Sequence, residues 1–406
     1  MRQFIESVKI ALAALWANKL RTTLTLIGMI IGVATIIAIV SLITGMNQYV
    51  AAEIDQLGAT TFIVDKEGII TSEETWWERM KRKKLTVEDM NEVAAGCQGC
   101  EYVGGREMTM RKVKAGNRYV NDVFIMGSTA NYPQIVNFEI EQGHYPTEAD
   151  NEHRRPVAFI GYDIIDELFP GMSHIGKTIT ISGQEYSVIG NGKRRGSTLG
   201  NSHDNYVIIP LSTFEKQFGQ RRSLDIFVKA RSFEGIASAQ DEVRMTMRAR
   251  HKLKYADADD FEIFTAGDIM SMWENFSRGA FIVMIGISSI SLIVGGIVIM
   301  NIMLVSVTER TREIGIRKAI GARKASVMWQ FLSEALTLSV LGGAVGILGG
   351  IAVGQGLSAL SGIPMGIEIW SIVAGILVSG GIGTVFGVYP AMKAARLDPI
   401  EALRYE

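Results

Sequence analysis

Gly171-Met-Ser-His-Ile-Gly176-Lys177-Thr178 matches G-x-x-x-x-G-K-[ST], the pattern of a loop that cradles phosphates. That chemistry needs a buried strand before the loop and a helix N-terminus after it, where backbone N–H groups meet the anion. Here Asp166-Glu-Leu-Phe-Pro170 precedes the loop, and Thr178-Ile-Thr-Ile-Ser-Gly183 follows with the alternation of a strand. The match therefore reads as a coincidence at a turn. Cys97-Gln-Gly-Cys100 has the C-x-x-C spacing of redox motifs. A reactive thiol of that kind sits at a helix N-terminus, where the dipole lowers its pKa. This pair follows the end of an expected helix, after Gly96. A structural disulfide in an oxidising compartment is the leading reading, with two free thiols second. No other cysteines occur, so disulfides are not the main support of the fold. His144, His153, His174, His203 and His251 are scattered and read as surface or turn residues. No Ser-His-Asp or metal-ligand spacing stands out, so no catalytic or metal residue is assigned.

Two charged segments remain. Trp76-Trp77 stands beside Arg79, Lys81, Arg82, Lys83 and Lys84. It reads either as a face for lipid headgroups or a partner, or as a solvated helix with two anchored tryptophans. Glu309-Arg-Thr-Arg-Glu-Ile-Gly-Ile-Arg-Lys-Ala-Ile-Gly-Ala322 is the most specific feature. It is short and charged, and Ile314, Ile316 and Ile320 are expected to give it an apolar side. A short helix of that composition suits docking into a groove on a soluble partner. A plain basic anchor would not need the interleaved isoleucines and glycines.

The elements that hold these segments are set by segregation of charge. No charged residue occurs in Thr22–Ala52, in Gly279–Thr308, between Glu334 and Glu368, or in Ile369–Met392. Each run is long enough for a bilayer, which takes ~20 residues. In hydrocarbon each must be a helix, because the backbone has no other hydrogen-bond partners. The first run is too long for a signal peptide and lacks a nearby cleavage site. Gly342, Gly346, Gly350 and Gly354 form a ridge on the third span, and Gly383 and Gly387 mark the fourth. Such ridges let backbones approach closely, either within the chain or at a dimer seam. Glu334 is expected at the inner interface, one or two turns after Lys324. Basic residues cluster at Lys9, Lys19 and Arg21, between Arg310 and Lys324, and at Lys393, Arg396 and Arg404, whereas Gln355–Trp370 has no Lys or Arg. That asymmetry places both termini inside. The formal net charge of −1 shows no nucleic-acid footprint.

The expected fold is an α-helical membrane protein with four transmembrane helices and a large mixed α/β extracytoplasmic domain. Residues 1–20 read as an amphipathic helix on the inner membrane surface, with a cytoplasmic extension of the first span as the alternative. The spans are expected at 21–46, 279–308, 326–356 and 369–392. A cytoplasmic coupling segment fills 309–325, an outer loop 357–368, and a cytoplasmic tail 393–406. The outer domain occupies 47–278. Its flanking pieces, 47–129 and 221–278, are expected to form a split α/β lobe around an inserted β-rich lobe at 130–220. Strands are expected at Thr61–Val64, Val123–Met126, Val157–Ile160, Thr178–Ile181, Tyr186–Ile189, Tyr206–Ile209, Leu224–Val228 and Phe261–Phe264. Helices are expected at Thr86–Ala95, where Asp89 follows Thr86 as a cap-like start, and at Phe233–Lys252.

The chain resembles the MacB-type permeases of ABC transporters, a family that includes lipoprotein-release and FtsX-like permeases. The resemblance covers the whole chain. It is carried by Asn18-Lys-Leu-Arg-Thr22, Glu141-Gln-Gly-His-Tyr-Pro146, Phe169–Thr178, Tyr186-Ser-Val-Ile-Gly190, Asn301–Ala322 and Pro390–Arg404. It implies a permease, not an enzyme, that relays ATP-driven motion to its outer domain to export or extract molecules already outside the inner membrane. Glu309, Arg310, Arg312, Glu313, Gly315, Arg317, Lys318 and Gly321 match the family's coupling region against the ATPase. No cofactor is expected in this chain; ATP and Mg would be used by a separate ABC ATPase subunit. The other implied partners are a second copy or a related chain in a dimer, membrane lipids, and an adaptor with an outer-membrane channel. The implied location is the bacterial cytoplasmic (inner) membrane. A lipoprotein-release or FtsX-like permease is the alternative within the family, and a membrane-anchored receptor or sensor the alternative outside it.

Overall fold

A computed structural model describes residues 19–55, 57–68, 73–198, 201–220, 222–362 and 365–403. The surface helix expected at the N-terminus and Arg404 lie outside the described residues, apart from Lys19 and Leu20. The chain divides into two compact units, one holding the residues up to Tyr49 and from Asn275 onward, the other Val50–Glu274.

Among the described residues, four helices are long and apolar enough to cross a membrane. The helices run Lys19–Asp55, Ala266–Glu309, Lys324–Ser361 and Ile369–Arg396. All four outrun the spans expected from apolarity, the first two by most. The first continues past 46 to Asp55, and the second begins at Ala266, well before 279. A helix satisfies its own backbone and need not stop where the apolar run stops. The glycine ridge of the third span packs within this chain. A Cβ on Gly346 would lie 2.9 Å from the carbonyl oxygen of Ile30, and one on Gly350 2.7 Å from that of Ala34. Gly387 meets Ala335 in the same way across the third and fourth spans. Those glycines are filled by intrachain neighbours, the first of the two readings of the ridge.

The second unit is built on a ten-stranded sheet. Its strands are β1 (Thr61–Asp65), β2 (Cys100–Ala115), β3 (Arg118–Ser128), β4 (Ile140–Gly143), β5 (Val157–Ile160), β6 (Thr178–Ile181), β7 (Gln184–Gly192), β10 (Tyr206–Pro210), β11 (Asp225–Ala230) and β12 (Glu262–Thr265). β8 (Ser197–Thr198) and β9 (Asn201–Ser202) pair separately. The order is β12-β1-β11-β2-β3-β10-β5-β7-β4, with β6 against β2 and β7. The sheet is therefore continuous across the boundary expected near residue 130. The join is made by β3, which pairs with β10, and by β2, which pairs with β6. β2 is a strand that sequence patterning misses. Cys100-Glu-Tyr-Val-Gly-Gly-Arg-Glu-Met-Thr-Met-Arg-Lys-Val-Lys-Ala115 carries charges and glycines in place of apolar alternation.

Two layers of core cover the sheet's faces. Val207 and Ile209 of β10 join Ile125, Ile160, Ile179 and Phe214 in one cluster. Tyr206 and Ile208, their alternate neighbours, join Tyr132, Tyr145, Phe159 and Phe227 in an aromatic cluster. A third cluster gathers Phe62, Val64, Leu224 and Ile226 under helices Val87–Gly96 and Ile236–His251. The first of these helices starts on a capping box. The Thr86 hydroxyl accepts from the Asp89 N–H, and the Asp89 carboxylate accepts from the Thr86 N–H.

Candidate functional site

The connection between the second and third spans folds as a short helix, Thr311–Ala319. At its start the Thr311 hydroxyl satisfies the end of the preceding helix, lying between the Val307 and Thr308 carbonyls at 3.0 and 2.8 Å. Its end is a Schellman turn. Gly321, at φ +104°, donates its N–H to Lys318, and Ala322 donates its N–H to Arg317. A side chain resists that left-handed backbone, so glycine belongs there.

One face of this helix is anchored inside its own unit. Ile314 is buried among Val327, Phe331 and Ala391. Gly315 packs against the tail helix Pro399–Leu403, and a Cβ on it would lie 2.7 Å from the Ala402 Cβ. Lys318 donates through Nζ to the Ala395 and Leu397 carbonyls, where the fourth helix ends. A cation there also complements the negative end of the helix dipole. Arg310 pairs with buried Glu334 at 3.3 Å. Glu334 lies in the Lys324–Ser361 helix, nearly three turns from its start, deeper than expected.

The other face is open. Arg312, Glu313, Ile316, Arg317, Ile320 and Gly321 are exposed, Ile320 at 82%. Arg317 donates to Gln330 Oε1 at 2.7 Å and pairs with Glu313. The single apolar side expected from Ile314, Ile316 and Ile320 does not exist. Residues two apart on a helix point in nearly opposite directions, whereas residues four apart share a face. Ile316 and Ile320 thus stand together, away from Ile314. Of the residues named for coupling, Arg310, Gly315 and Lys318 build the support, Gly321 ends the helix, and Arg312, Glu313 and Arg317 face outward beside exposed Glu309. The tail helix was missed as part of this region. It starts at Asp398, whose carboxylate accepts from the Ile400 N–H at 2.8 Å, with Pro399 at its first position. An Asp-Pro start before a short apolar stretch is the signal that marks it.

The remaining motifs sit in the other unit. Cys97 and Cys100 are joined by a disulfide, and both are buried. The turn between them is clamped. Gln98 and Gly99 donate their N–H groups to Glu242 Oε2 at 2.7 and 2.9 Å, and Arg231 holds the Gln98 carbonyl. The loop Gly171–Thr178 runs into strand β6 and not into a helix. His174 within it is buried against Asn191 at 3.0 Å. The His251 ring is also buried, its Nδ1 2.7 Å from Asp260 and its Nε2 3.6 Å from Asp89. His174 is a loop residue, as expected, though buried. His251 ends the helix Ile236–His251 with its ring inside the fold, which corrects the expectation that all five are surface or turn residues. Burial pushes the Asp89 carboxyl up, but the Thr86 hydroxyl and N–H and Arg250 together hold it below the usual range. Trp76 and Trp77 meet edge to face at 4.7 Å, with Trp77 exposed. Two of the five nearby basic residues are paired internally, Arg79 and Arg82 reaching Glu262 at 3.3 and 3.1 Å.

A membrane unit interrupted by one large α/β unit, with a short anchored helix between spans two and three, is the arrangement to set beside known proteins. Residues 22–246 match the MacB-like periplasmic core domain, and residues 285–399 match the FtsX-like permease C-terminal domain. The chain belongs to the MacB/FtsX-like family of ABC transporter permeases. It is 33% identical over its full length to a macrolide export ATP-binding/permease protein MacB of Bdellovibrio bacteriovorus, of which it covers 62%. It is 32% identical over 99% of its length to a pyoverdine export ATP-binding/permease protein PvdT of Pseudomonas aeruginosa, of which it covers 59%. The chain thus spans about 60% of the length of these relatives. The periplasmic region of MacB from Actinobacillus actinomycetemcomitans aligns with 56% of this chain and 99% of its own, at 18% identity and a TM-score of 0.46. This member of the MacB/FtsX-like family is a multi-pass inner-membrane protein of the permease type.

Proposed function

We propose that this MacB-type permease acts as a dimer and relays the motion of an ABC ATPase, carried on a separate subunit that uses ATP and Mg, to its α/β unit on the outer side of the inner membrane. That motion exports or extracts molecules already outside the membrane. The observation that carries this reading is the two-sided helix Thr311–Ala319. Its inner side is fastened by Ile314, Gly315 and Lys318, while Ile316 and Ile320 stand exposed among Arg312, Glu313 and Arg317. Exposed isoleucines on an anchored, charged helix suit a groove on a soluble partner. Anchoring matters mechanically, because a force on the outer side passes into the third and fourth spans only if the inner side holds. The relatives' names, which join ATP binding to a permease, supply the class of partner.

The test is an Ile316→Asp, Ile320→Asp pair. Both side chains are exposed, so the fold should tolerate the change. Co-purification of the ATPase in mild detergent, ATPase rate and transport are measured against the unmodified complex. Loss of the ATPase from the complex, or hydrolysis without transport, supports the reading. Normal assembly with normal transport would reduce the segment to a basic anchor.

A further inference from the structure

β2 and β3 place three thioethers on one patch of the sheet in the Val50–Glu274 unit. Met108 pairs with Met126, and Met110 with Phe124, in a stretch of even register that ends before the bulge between Arg111 and Val113. Residues two apart on a strand share a face, so these four positions adjoin on one side. Side chains directly opposite each other start about 4.5–5.5 Å apart, and diagonal ones about 7–8 Å apart. Side chains stand roughly perpendicular to a sheet, and methionine has three rotatable bonds. The three sulfurs can therefore meet above the sheet. Met108 is 43% exposed and Met110 48%, with Met126 and Phe124 half-buried beside them. A cation reaches the patch without opening the fold.

The residue choice is not that of an ordinary strand face. β-Branched and aromatic side chains are the ones that suit a pleated, half-buried surface. Methionine accounts for 19 of 406 residues, yet it fills three of these four facing positions. Overall composition does not explain that density. What thioethers share is chemistry: they are soft, uncharged donors that select soft cations such as Cu(I). The chain's two cysteines are bonded to each other, so no thiolate competes for such an ion. Neighbouring charges favour a low ionic charge. Arg106, two residues before Met108, pairs with Asp225 at 3.1 Å, and Lys112, two residues after Met110, lies over the Tyr119 ring at 3.5 Å. These cations are engaged but still present, and a singly charged ion meets half the repulsion of a doubly charged one.

We infer that Met108, Met110 and Met126 form a three-thioether site for a soft monovalent cation, Cu(I) or Ag(I). Phe124 fills the fourth corner with an apolar ring. The site lies within one chain, and the inference does not depend on how the chain is coupled to ATP.

The test is protection of the thioethers from oxidation, read on the full chain in lipid nanodiscs. A sulfur whose lone pair is held by a metal resists conversion to the sulfoxide. Silver nitrate in chloride-free buffer is the probe, because Ag(I) needs no reductant. Peroxide is added with and without silver, and sulfoxide is mapped by peptide mass spectrometry. Met172 and Met245, exposed at 56% and 65%, are the controls. Stoichiometric silver should slow oxidation of Met108, Met110 and Met126 together and leave the controls unchanged. Met110→Leu keeps the side-chain volume, so folding should survive. It should weaken silver binding by about tenfold or more, a loss that even supporting contacts of a metal site produce, and return Met108 and Met126 to peroxide. Protection of all five methionines alike would overturn the proposal. So would protection of none, which would mark the patch as an apolar surface only. Protection of Met108 and Met126 that Met110→Leu leaves unchanged would overturn it too, since the thioethers would then not share one ion.

Discussion

Glu107 of β2 is 4% exposed, and its Oε2 has no hydrogen-bond partner among the described residues. Burial raises its carboxyl from the ordinary 4.5 to about 7, helped by Glu215 and opposed by Arg222. A raised carboxyl pKa means that the folded state holds a proton the unfolded chain has released. Its stability contribution is complete below pH 4.5 and is lost as pH rises to about 7. Thermal unfolding of the full chain should therefore show a midpoint that falls across that window, by at most about 3 kcal/mol of stability. Glu107→Gln should flatten this part of the profile; an unchanged slope would mean that another group titrates there. Lys318 makes a second prediction at this scale. Its ammonium is held by two carbonyls at the end of the fourth helix, and charged hydrogen bonds of this kind contribute about 2 kcal/mol. Lys318→Met should make the Pro399–Leu403 helix easier to cleave by protease, and Lys318→Arg should restore part of the protection.

At the scale of elements, the helix Thr311–Ala319 and the tail helix meet through the missing side chain of Gly315. Gly315→Leu would force them apart, and Gly315→Pro would in addition break the helix, at a cost of order 3 kcal/mol. Both should weaken ATPase contact or transport with the spans still inserted, whereas wild-type coupling in both would show that the tail packing is dispensable. The disulfide Cys97–Cys100 joins the end of a helix to the start of β2 across a very short loop. Closing so short a loop contributes only about 2 kcal/mol in the chain-entropy picture. The clamp by Glu242 and Arg231 remains when the bond is gone. Replacing both cysteines with serine should lower the unfolding midpoint slightly and leave transport intact. Loss of transport by a well-folded double variant would instead assign the pair a redox role.

For the whole molecule, the testable statement is topology. Glu185 and Arg323 are both exposed, one in the α/β unit and one in the connection between spans two and three. A cysteine at position 185 should react with a membrane-impermeant thiol reagent from outside the inner membrane, and a cysteine at 323 only after the membrane is opened. Labelling of 323 from outside would invert the orientation drawn from the basic residues. Many large apolar side chains of the spans, among them Ile290, Ile293, Leu348, Leu377 and Val385, are exposed in the single chain. In water such a surface would aggregate, and in a bilayer it meets lipid or a second copy.

The features legible from the sequence alone are those decided by neighbours along the chain. The four spans follow from charge-free runs, because hydrocarbon admits only self-satisfied helices. The start of the Val87–Gly96 helix follows from Thr86 and Asp89, three residues apart. The hairpin between β6 and β7 follows from Ser182-Gly183, both at positive φ, which suits the twist of paired strands. What only the tertiary structure decided depends on residues distant in sequence. β2 is a strand because β11 and β3 flank it, although its own composition argues otherwise. Gly346 and Gly350 are intrachain contacts because the first span fills them. The division of the Glu309–Ala322 segment into an anchored and an open face was set by Ala402, Glu334 and the last carbonyls of the fourth helix. None of these is near the segment in the chain. The aromatic cluster around Tyr206 is likewise a product of strand register. A one-residue slip would turn Tyr206 and Ile208 to the opposite face, and no local pattern encodes that choice.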